Sequence, residues 1–443
     1  MKKLLFALLF FAAISSAYSQ SGMKFVEFAM KLDPYFDKLL IEDIQKQLPK
    51  GTDYTIWGWD VGDFSGDGYF DVAFTVKKSS ERGRTVHVYQ FVDVDGFLIE
   101  VNRISKQFVE LPLEIGVVIR NNTCYVTEKK EKFNWKIIGY SFDKGSIILE
   151  DEFHTHRIGD LTHESYHNYR KLRNNEKYLV TRTGEETFYR DYMTIPSYPR
   201  GKTIYQGYTE EAETDFIDYV HAGAWDWKGA VDASFKVSSA YDEQNLFFTV
   251  KVFDDNVVVR ECDTCIADNI DIWFDVNIPV ENGDRFMIRE DNKISFRNIS
   301  DKGMYRFSFY PGDFVNEQAY VKIGTNDNLN SFQRIETRNI KAVANLHSDG
   351  YIIKFKIPFA VLGYPSNPVQ RNEVLEMGCT VIVNDYDNKF RPEEKSEIAT
   401  SAFIPNNPST FGSLLVIPHD LWYGEAENIY RQPIIENLLE YGF

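Results

Sequence analysis

Alternation of apolar and polar residues dominates this chain. Between Tyr54 and Phe153 the segments DVAFTV, TVHVYQFV, FLIEVNRI, GVVIRN, TCYVTEK, WKIIGYSF and SIILEDEF follow one another, separated by Gly, Asn and Asp turns. A two-residue period puts alternate side chains on opposite faces of a strand, so this run predicts a mostly antiparallel β domain. The stretch before it reads differently. From Asp33 to Leu48 the apolar positions Phe36, Leu39, Leu40, Ile44 and Leu48 fall at helical spacing, with Asp33 as N-cap and Pro34 in the first helical position. Residues 155–200 are more polar, and Pro196 and Pro199 predict an extended connection. From about Trp225 to Pro418 strands return, longer and more regular. In the segment 269–275, Ile270, Ile272 and Phe274 share one face, while Asp271, Trp273 and Asp275 share the other. Leu246, Phe248 and Val250 alternate in the same way, as do Tyr351, Ile353, Phe355 and Ile357, which predicts two packed sheets.

The resulting plan is mainly β. It runs from a signal peptide (1–19) through an N-terminal antiparallel domain that follows one helix (20–185) and a linker (186–214) to a β-sandwich (215–420) and a short helix-rich tail (421–443). The signal is read from Lys2 and Lys3, the apolar run Leu4 to Ile14, and the small-residue site Ala17-Tyr18-Ser19. No cysteine stands at the cleavage point to take a lipid, and no later apolar run is long enough to span a bilayer as a helix. A periplasmic or secreted product is expected.

Composition narrows the partners. With 43% hydrophobic and 15% aromatic residues, the 443-residue chain can bury large cores, and its net charge of -17 disfavours nucleic acid or an anionic membrane as partner. Neutral glycans or cations fit better. Four cysteines are too few for a disulfide scaffold. Cys262 and Cys265, two residues apart in one loop, are expected to close a small local disulfide ring, whereas Cys124 and Cys379 sit in strand-like runs as small buried apolar residues.

Asp63-Phe64-Ser65-Gly66-Asp67-Gly68-Tyr69-Phe70-Asp71 sets oxygen ligands at alternate positions around a glycine turn. Calcium takes six or more oxygens, and Asp63, Ser65, Asp67, the Tyr69 carbonyl and Asp71 would supply most of them from one tight loop. The loop resembles that of FG-GAP and related propeller-type repeats, with Ser65 in place of the usual Asp or Asn. A structural calcium ion pinning this turn is the expected cofactor; the alternative is an unmetallated Asp/Gly turn between two strands.

In the second half a series of short motifs occurs in a set order. Trp227-Lys228-Gly229 with Asp232 is followed by Asn245-Leu246-Phe247 and Val252-Phe253-Asp254-Asp255, then by the run Asp268 to Asp275. Ile357-Pro358-Phe359 with Leu362-Gly363, Val383-Asn384-Asp385-Tyr386-Asp387 and Asn407-Pro408-Ser409-Thr410-Phe411-Gly412 complete it. This order resembles the family 9 carbohydrate-binding modules over residues 215–418. The resemblance implies a β-sandwich that binds sugars and often holds structural calcium. It also implies sugar contacts at Asp271, at Arg289 as the arginine of the following strand, and at Asn384 of the Asn-Asp motif. Carboxylate, guanidinium and amide groups each pair with adjacent hydroxyls. Two tryptophans clamp the sugar in the best-known members, yet the corresponding stretches here, 262–267 and 398–403, contain none. An aromatic surface is still needed, and Trp273, Tyr386, Phe390 and Phe403 are the substitutes, Trp273 foremost because it shares a face with Asp271. The alternative for Trp273 is packing, and for Asp271 and Arg289 a salt bridge between strands.

His154, His156, His163 and His167 crowd one segment; if 162–168 were helical, His163 and His167 would share a face and a transition-metal site would be conceivable, against a plain polar connection. No nucleophile elbow, HExxH or phosphate-cradling loop occurs. The leading expectation is therefore a secreted, noncatalytic protein that captures polysaccharide or surface glycan, in the setting of carbohydrate catabolism. An envelope scaffold with protein partners, whose sandwich has lost sugar binding, is the second. A hydrolase of O-glycosyl compounds is the third, its carboxylate pair not selectable among 66 acidic residues.

Overall fold

The computed structural model describes residues 22–48, 54–78, 85–107, 114–131, 134–200, 212–213, 219–259, 266–276, 287–290, 293–296, 303–324, 329–369, 374–405 and 407–418. The signal segment, Cys262, Cys265 and the C-terminal tail lie outside the described residues. The fold is mainly β, as expected, and divides into two compact units, 1–169 with 178–185 and 170–177 with 186–443.

The first unit opens with two helices, Phe25–Leu32 and Lys38–Gln47, where one was expected. Asp33 is the C-cap of the first and Asp37 the N-cap of the second, so Pro34 lies in the turn between them. Phe28, Leu32, Phe36, Ile41 and Ile44 from this helical pair pack on Ile56, Phe74, Tyr89 and Phe91. The strands Tyr54–Gly62, Asp71–Lys78, Thr85–Val94 and Phe97–Gln107 pair in sequence order as one antiparallel sheet. A second meander runs through Glu114–Arg120, Thr123–Glu131, Asn134–Asp143, Ser146–Ile158 and Leu161–Asn168. Six of the seven segments read as strands fall wholly in one of these, and the seventh, GVVIRN, runs one residue past its strand into the turn at Asn121. Cys124 is a free thiol in a core shared with Phe64, Ala73, Val88 and Val126, where burial pushes it up to about 12.

The second unit is a sandwich of two sheets. Ala233–Tyr241 pairs with Asn245–Asp254, which pairs with Gly350–Pro358, which pairs with Lys341–His347. In the other sheet Asn269–Asp275 lies between Leu375–Tyr386 and Met304–Tyr310, and the latter pairs with Tyr320–Ile323. Residues 186–199, expected as a linker, are instead the strand Glu186–Pro199, which runs parallel to both Ala233–Tyr241 and Ser413–Val416. Because Ser413–Val416 pairs in turn with Leu375–Tyr386, this strand joins the two sheets. The alternation read from the sequence fills the space between them: Leu246, Phe248, Val250, Ile353 and Phe355 face Ile270, Ile272, Phe274, Phe307 and Phe309. Phe309 and Phe355 stack at 3.9 Å between ring centroids. Cys379 is buried in this core.

Candidate functional site

The outer face of the second sheet carries the residues that the core does not take. On Asn269–Asp275 these are Asn269, Asp271 and Trp273; beside them stand Arg306, Ser308 and Tyr310 on Met304–Tyr310, then Tyr320 and Lys322 on the next strand. Asn384 and Tyr386 flank them on the other side.

Trp273 does not present an open indole. It is 7% exposed and packs with Ile382, Ala399, Phe403 and Phe411. The segment carrying Phe411 is fixed from below by Arg190, which is fully buried and whose Nε donates to the Phe411 carbonyl at 2.8 Å. Gly412 follows, its amide donating to Thr380 Oγ1 at 3.0 Å, and a Cβ there would stand 2.5 Å from the Cys379 carbonyl oxygen. The Asn407–Gly412 motif thus holds the lid over Trp273, and Phe403 is part of that lid at 3% exposure. Phe390 by contrast is exposed.

Asp271 is 5% exposed and fully engaged: Arg306 Nη2 lies 2.7 Å from its Oδ2, and Ser308 Oγ donates to its Oδ1. The Arg306 guanidinium also sits 5.2 Å from the Trp273 ring centroid. Arg289 lies on the strand Met287–Glu290, which pairs with Lys293–Phe296 in a separate hairpin. The strand beside Asp271 supplies Arg306 instead. Asn384 is buried and donates through Nδ2 to Asn269 Oδ1 at 3.0 Å. Tyr386 is half-buried, with its backbone amide donating to Asp268 Oδ1.

Next to the Asp271–Arg306 pair the face is aromatic, with Tyr310 and Tyr320 half-buried and Lys322 exposed. Tyr310 and Tyr320, paired across strands, stack with centroids 4.9 Å apart and planes 6° from parallel. Lys322 lies 4.5 Å from the Tyr310 ring. Burial raises the Tyr310 hydroxyl above its usual pKa, with further upward pushes from Asp271, Tyr320 and Tyr386, which sets these groups around it. Reasoning from sequence missed this pair, although the signal was there: Arg306, Ser308 and Tyr310 alternate with Tyr305, Phe307 and Phe309.

In the first unit, the carboxylates of the 63–71 loop accept hydrogen bonds from nearby backbone amides, among them Asp93 N to Asp71 Oδ1 at 3.1 Å. Gly66 and Gly68 donate to the two oxygens of Asp63, Tyr69 to Asp67, and Phe64 and Ser65 to Asp71 Oδ2. Ser65 Oγ is 3.3 Å from Asp63 Oδ1. Asp71 is fully buried, and desolvation raises it to about 6.

The histidines lie on strands, not on a helix. His156 pairs with His163 across Ser146–Ile158 and Leu161–Asn168, and the period of two puts His163, His167, His154 and His156 on one face. His154 stacks on His156 at 4.8 Å, and His163 on Tyr178 at 4.5 Å.

Residues 206–417, just under half of the chain, match the Carbohydrate family 9 binding domain-like family. This half resembles a family 9 carbohydrate-binding module. Two solved structures of such a module from Caldicellulosiruptor kristjanssonii, one in complex with glucose and one with cellotriose, are each 15% identical to the chain and cover 53% of it. The match takes in 98% and 96% of those modules, with TM-scores of 0.29 and 0.30. A GH43_1 enzyme from Xanthomonas citri is 9% identical over 48% of this chain and 87% of its own, with a TM-score of 0.15. TM-scores of this size carry no argument, and the resemblance rests on the family match alone. No curated protein matches the chain.

Proposed function

We propose that the protein is a secreted, noncatalytic glycan-binding protein whose sugar site is the open end of the outer sheet face, at Tyr310, Tyr320, Arg306, Asp271 and Tyr386. The observation that carries the reading is the parallel Tyr310–Tyr320 pair beside a carboxylate–guanidinium pair. Sugar rings have apolar C–H faces that gain from an aromatic surface, whereas their hydroxyls gain little from bonds that merely replace water. Here the aromatic surface stands next to groups that give and accept hydrogen bonds in pairs. The tyrosines take the place that the missing tryptophans hold in the family, and Trp273 serves as packing beneath. Tyr386, close enough to act on the Tyr310 hydroxyl, extends the aromatic surface. We place this capture of polysaccharide in carbohydrate catabolism; the family match bears on the binding alone.

One observation favours a second reading. Trp273, the expected platform, is sealed by Phe403 and Phe411, as befits a sandwich that serves as an envelope scaffold. A glycan array on the full chain decides between them. Retention on plant, algal or bacterial polysaccharide, abolished in Arg306→Met, supports glycan binding. Silence on every glycan together with co-purification of an envelope complex supports the scaffold.

A further inference from the structure

The chain and its outer sheet face carry charge of opposite sign. The balance of -17 over 443 residues points by itself to neutral glycans, because a polyanion is repelled by it. On the outer sheet face, however, the carboxylates beside the tyrosines already have partners. Asp271 is paired with Arg306. Glu397, which lies opposite Asn384 on the strand Lys395–Ala399, is paired with Lys395, and His221 Nε2 lies 3.8 Å from its second oxygen. Burial lowers the pKa of His221, so that imidazole stays neutral near pH 7. Lys322 is the cation left over: its side chain is exposed, and among the described residues no carboxylate pairs with it.

The strand register sets what surrounds this ammonium. Tyr310 lies opposite Tyr320 and Ser308 opposite Lys322, and the Gly324 amide donates to the Arg306 carbonyl at 3.0 Å. The tyrosine pair, the lysine and the arginine therefore follow one another along two neighbouring strands, at the two-residue period of one face. Lys322 Nζ lies 4.5 Å from the Tyr310 ring centroid and 5.9 Å from that of Tyr320, so the charge rests against the aromatic surface itself. Further along, a Cβ on Gly324 would stand 3.2 Å from Arg306 Cβ and 3.6 Å from its Cδ. With no side chain there, nothing from position 324 covers that flank of Arg306.

A neutral sugar settling on Tyr310 would take water from this ammonium and return only hydroxyls, which merely replace it. A ring that carries an acidic group brings a counter-charge with it, and charge-assisted hydrogen bonds are the stronger kind. We propose that the glycan taken at this face is acidic, its sugar rings bearing a carboxylate, as uronic acids do, or a sulfate ester. The anion lies against Lys322 and the exposed N–H groups of Arg306, and the apolar C–H face of the ring against Tyr310 and Tyr320. The proposal rests on the reading of this face as a sugar site and narrows that site to one ligand class. Charge elsewhere on the chain is screened beyond about 8 Å at physiological ionic strength, so the local cation decides selectivity there.

The test titrates the full chain at pH 7.5 with polygalacturonate and alginate, each as the free acid and as its methyl ester. Carrageenan is the sulfated probe, and xylan and β-glucan are the neutral ones. Acid and ester share a backbone and differ in charge. At least one acidic probe is expected to bind about fivefold or more tighter than every neutral probe and ester, roughly 1 kcal/mol. A preference for a free uronate assigns the anion to a carboxylate, and one for carrageenan to a sulfate. The acid-to-neutral ratio should fall towards one in Lys322→Gln and in about 0.5 M NaCl, and persist in Lys322→Arg. Lys322 is exposed, so both variants should fold with Tm nearly unchanged. Neutral probes and esters bound as tightly as the acids overturn the proposal and leave the sugar face standing. An acid advantage undiminished in Lys322→Gln overturns it too, since the anion is then held elsewhere. Silence on every probe overturns it together with the sugar reading.

Discussion

Arg306 reaches Asp271 diagonally across two neighbouring strands, Nη2 to Oδ2 at 2.7 Å, and in doing so lays its guanidinium beside Trp273. One arginine thereby neutralises a buried carboxylate, packs on the indole and keeps further N–H donors at the surface, since 44% of its side chain is exposed.

Arg306→Met is expected to lower stability by about 1 to 2 kcal/mol, below the cost of breaking a fully buried pair because the arginine is partly solvated. It should also abolish retention on the glycan. Arg306→Lys should recover most of the stability and little of the binding, since an ammonium lacks the planar fork. Urea unfolding and affinity electrophoresis of the two variants check this.

Trp273→Ala should behave in the opposite way. Removing a buried indole from contact with Phe403 and Phe411 is expected to cost about 3 to 5 kcal/mol. Glycan affinity measured well below the melting point should stay within a factor of about two, as a residue that does not touch sugar requires. A large affinity loss with unchanged stability would return the sugar to the tryptophan.

The first unit has its own pH signature. Burial, and then the neighbouring His163, lower His156 from 6.5 to about 4. A depressed histidine contributes stability that is complete above the unfolded value and is lost as the pH falls from about 6.5 through about 4, because only the unfolded chain takes up the proton in that window. His154 stacks on the same ring. Thermal melts from pH 7.5 to 4 should show this decline, and His156→Gln should flatten it.

The strands and their core faces were legible in the sequence because burial on one side imposes a two-residue period. Ile270, Ile272 and Phe274 lie where that period puts them. What the period cannot tell is whether the second face is open. Asp271 and Trp273 do point away from the core, but Phe403 and Phe411, more than one hundred positions later, return to cover the indole, and that is a long-range event with no local signature. The same limit explains Arg289. Counting to the next arginine presumes that the following strand is the neighbouring one, whereas a hairpin intervenes and Arg306 takes the position. The strand Glu186–Pro199 escaped notice because its prolines read as a break; in it, Pro196 and Pro199 lie in parallel pairings with Leu415 and Tyr241.

The most direct test of the central claim is calorimetric titration of the best array ligand into the full chain and into Tyr320→Ala. Tyr320 is half-buried on an outer strand, so its loss should leave Tm nearly unchanged. The tyrosine-lined face predicts affinity at least about tenfold weaker in the variant, roughly 1.4 kcal/mol. An unchanged affinity in a folded Tyr320→Ala protein would contradict it and place the sugar elsewhere.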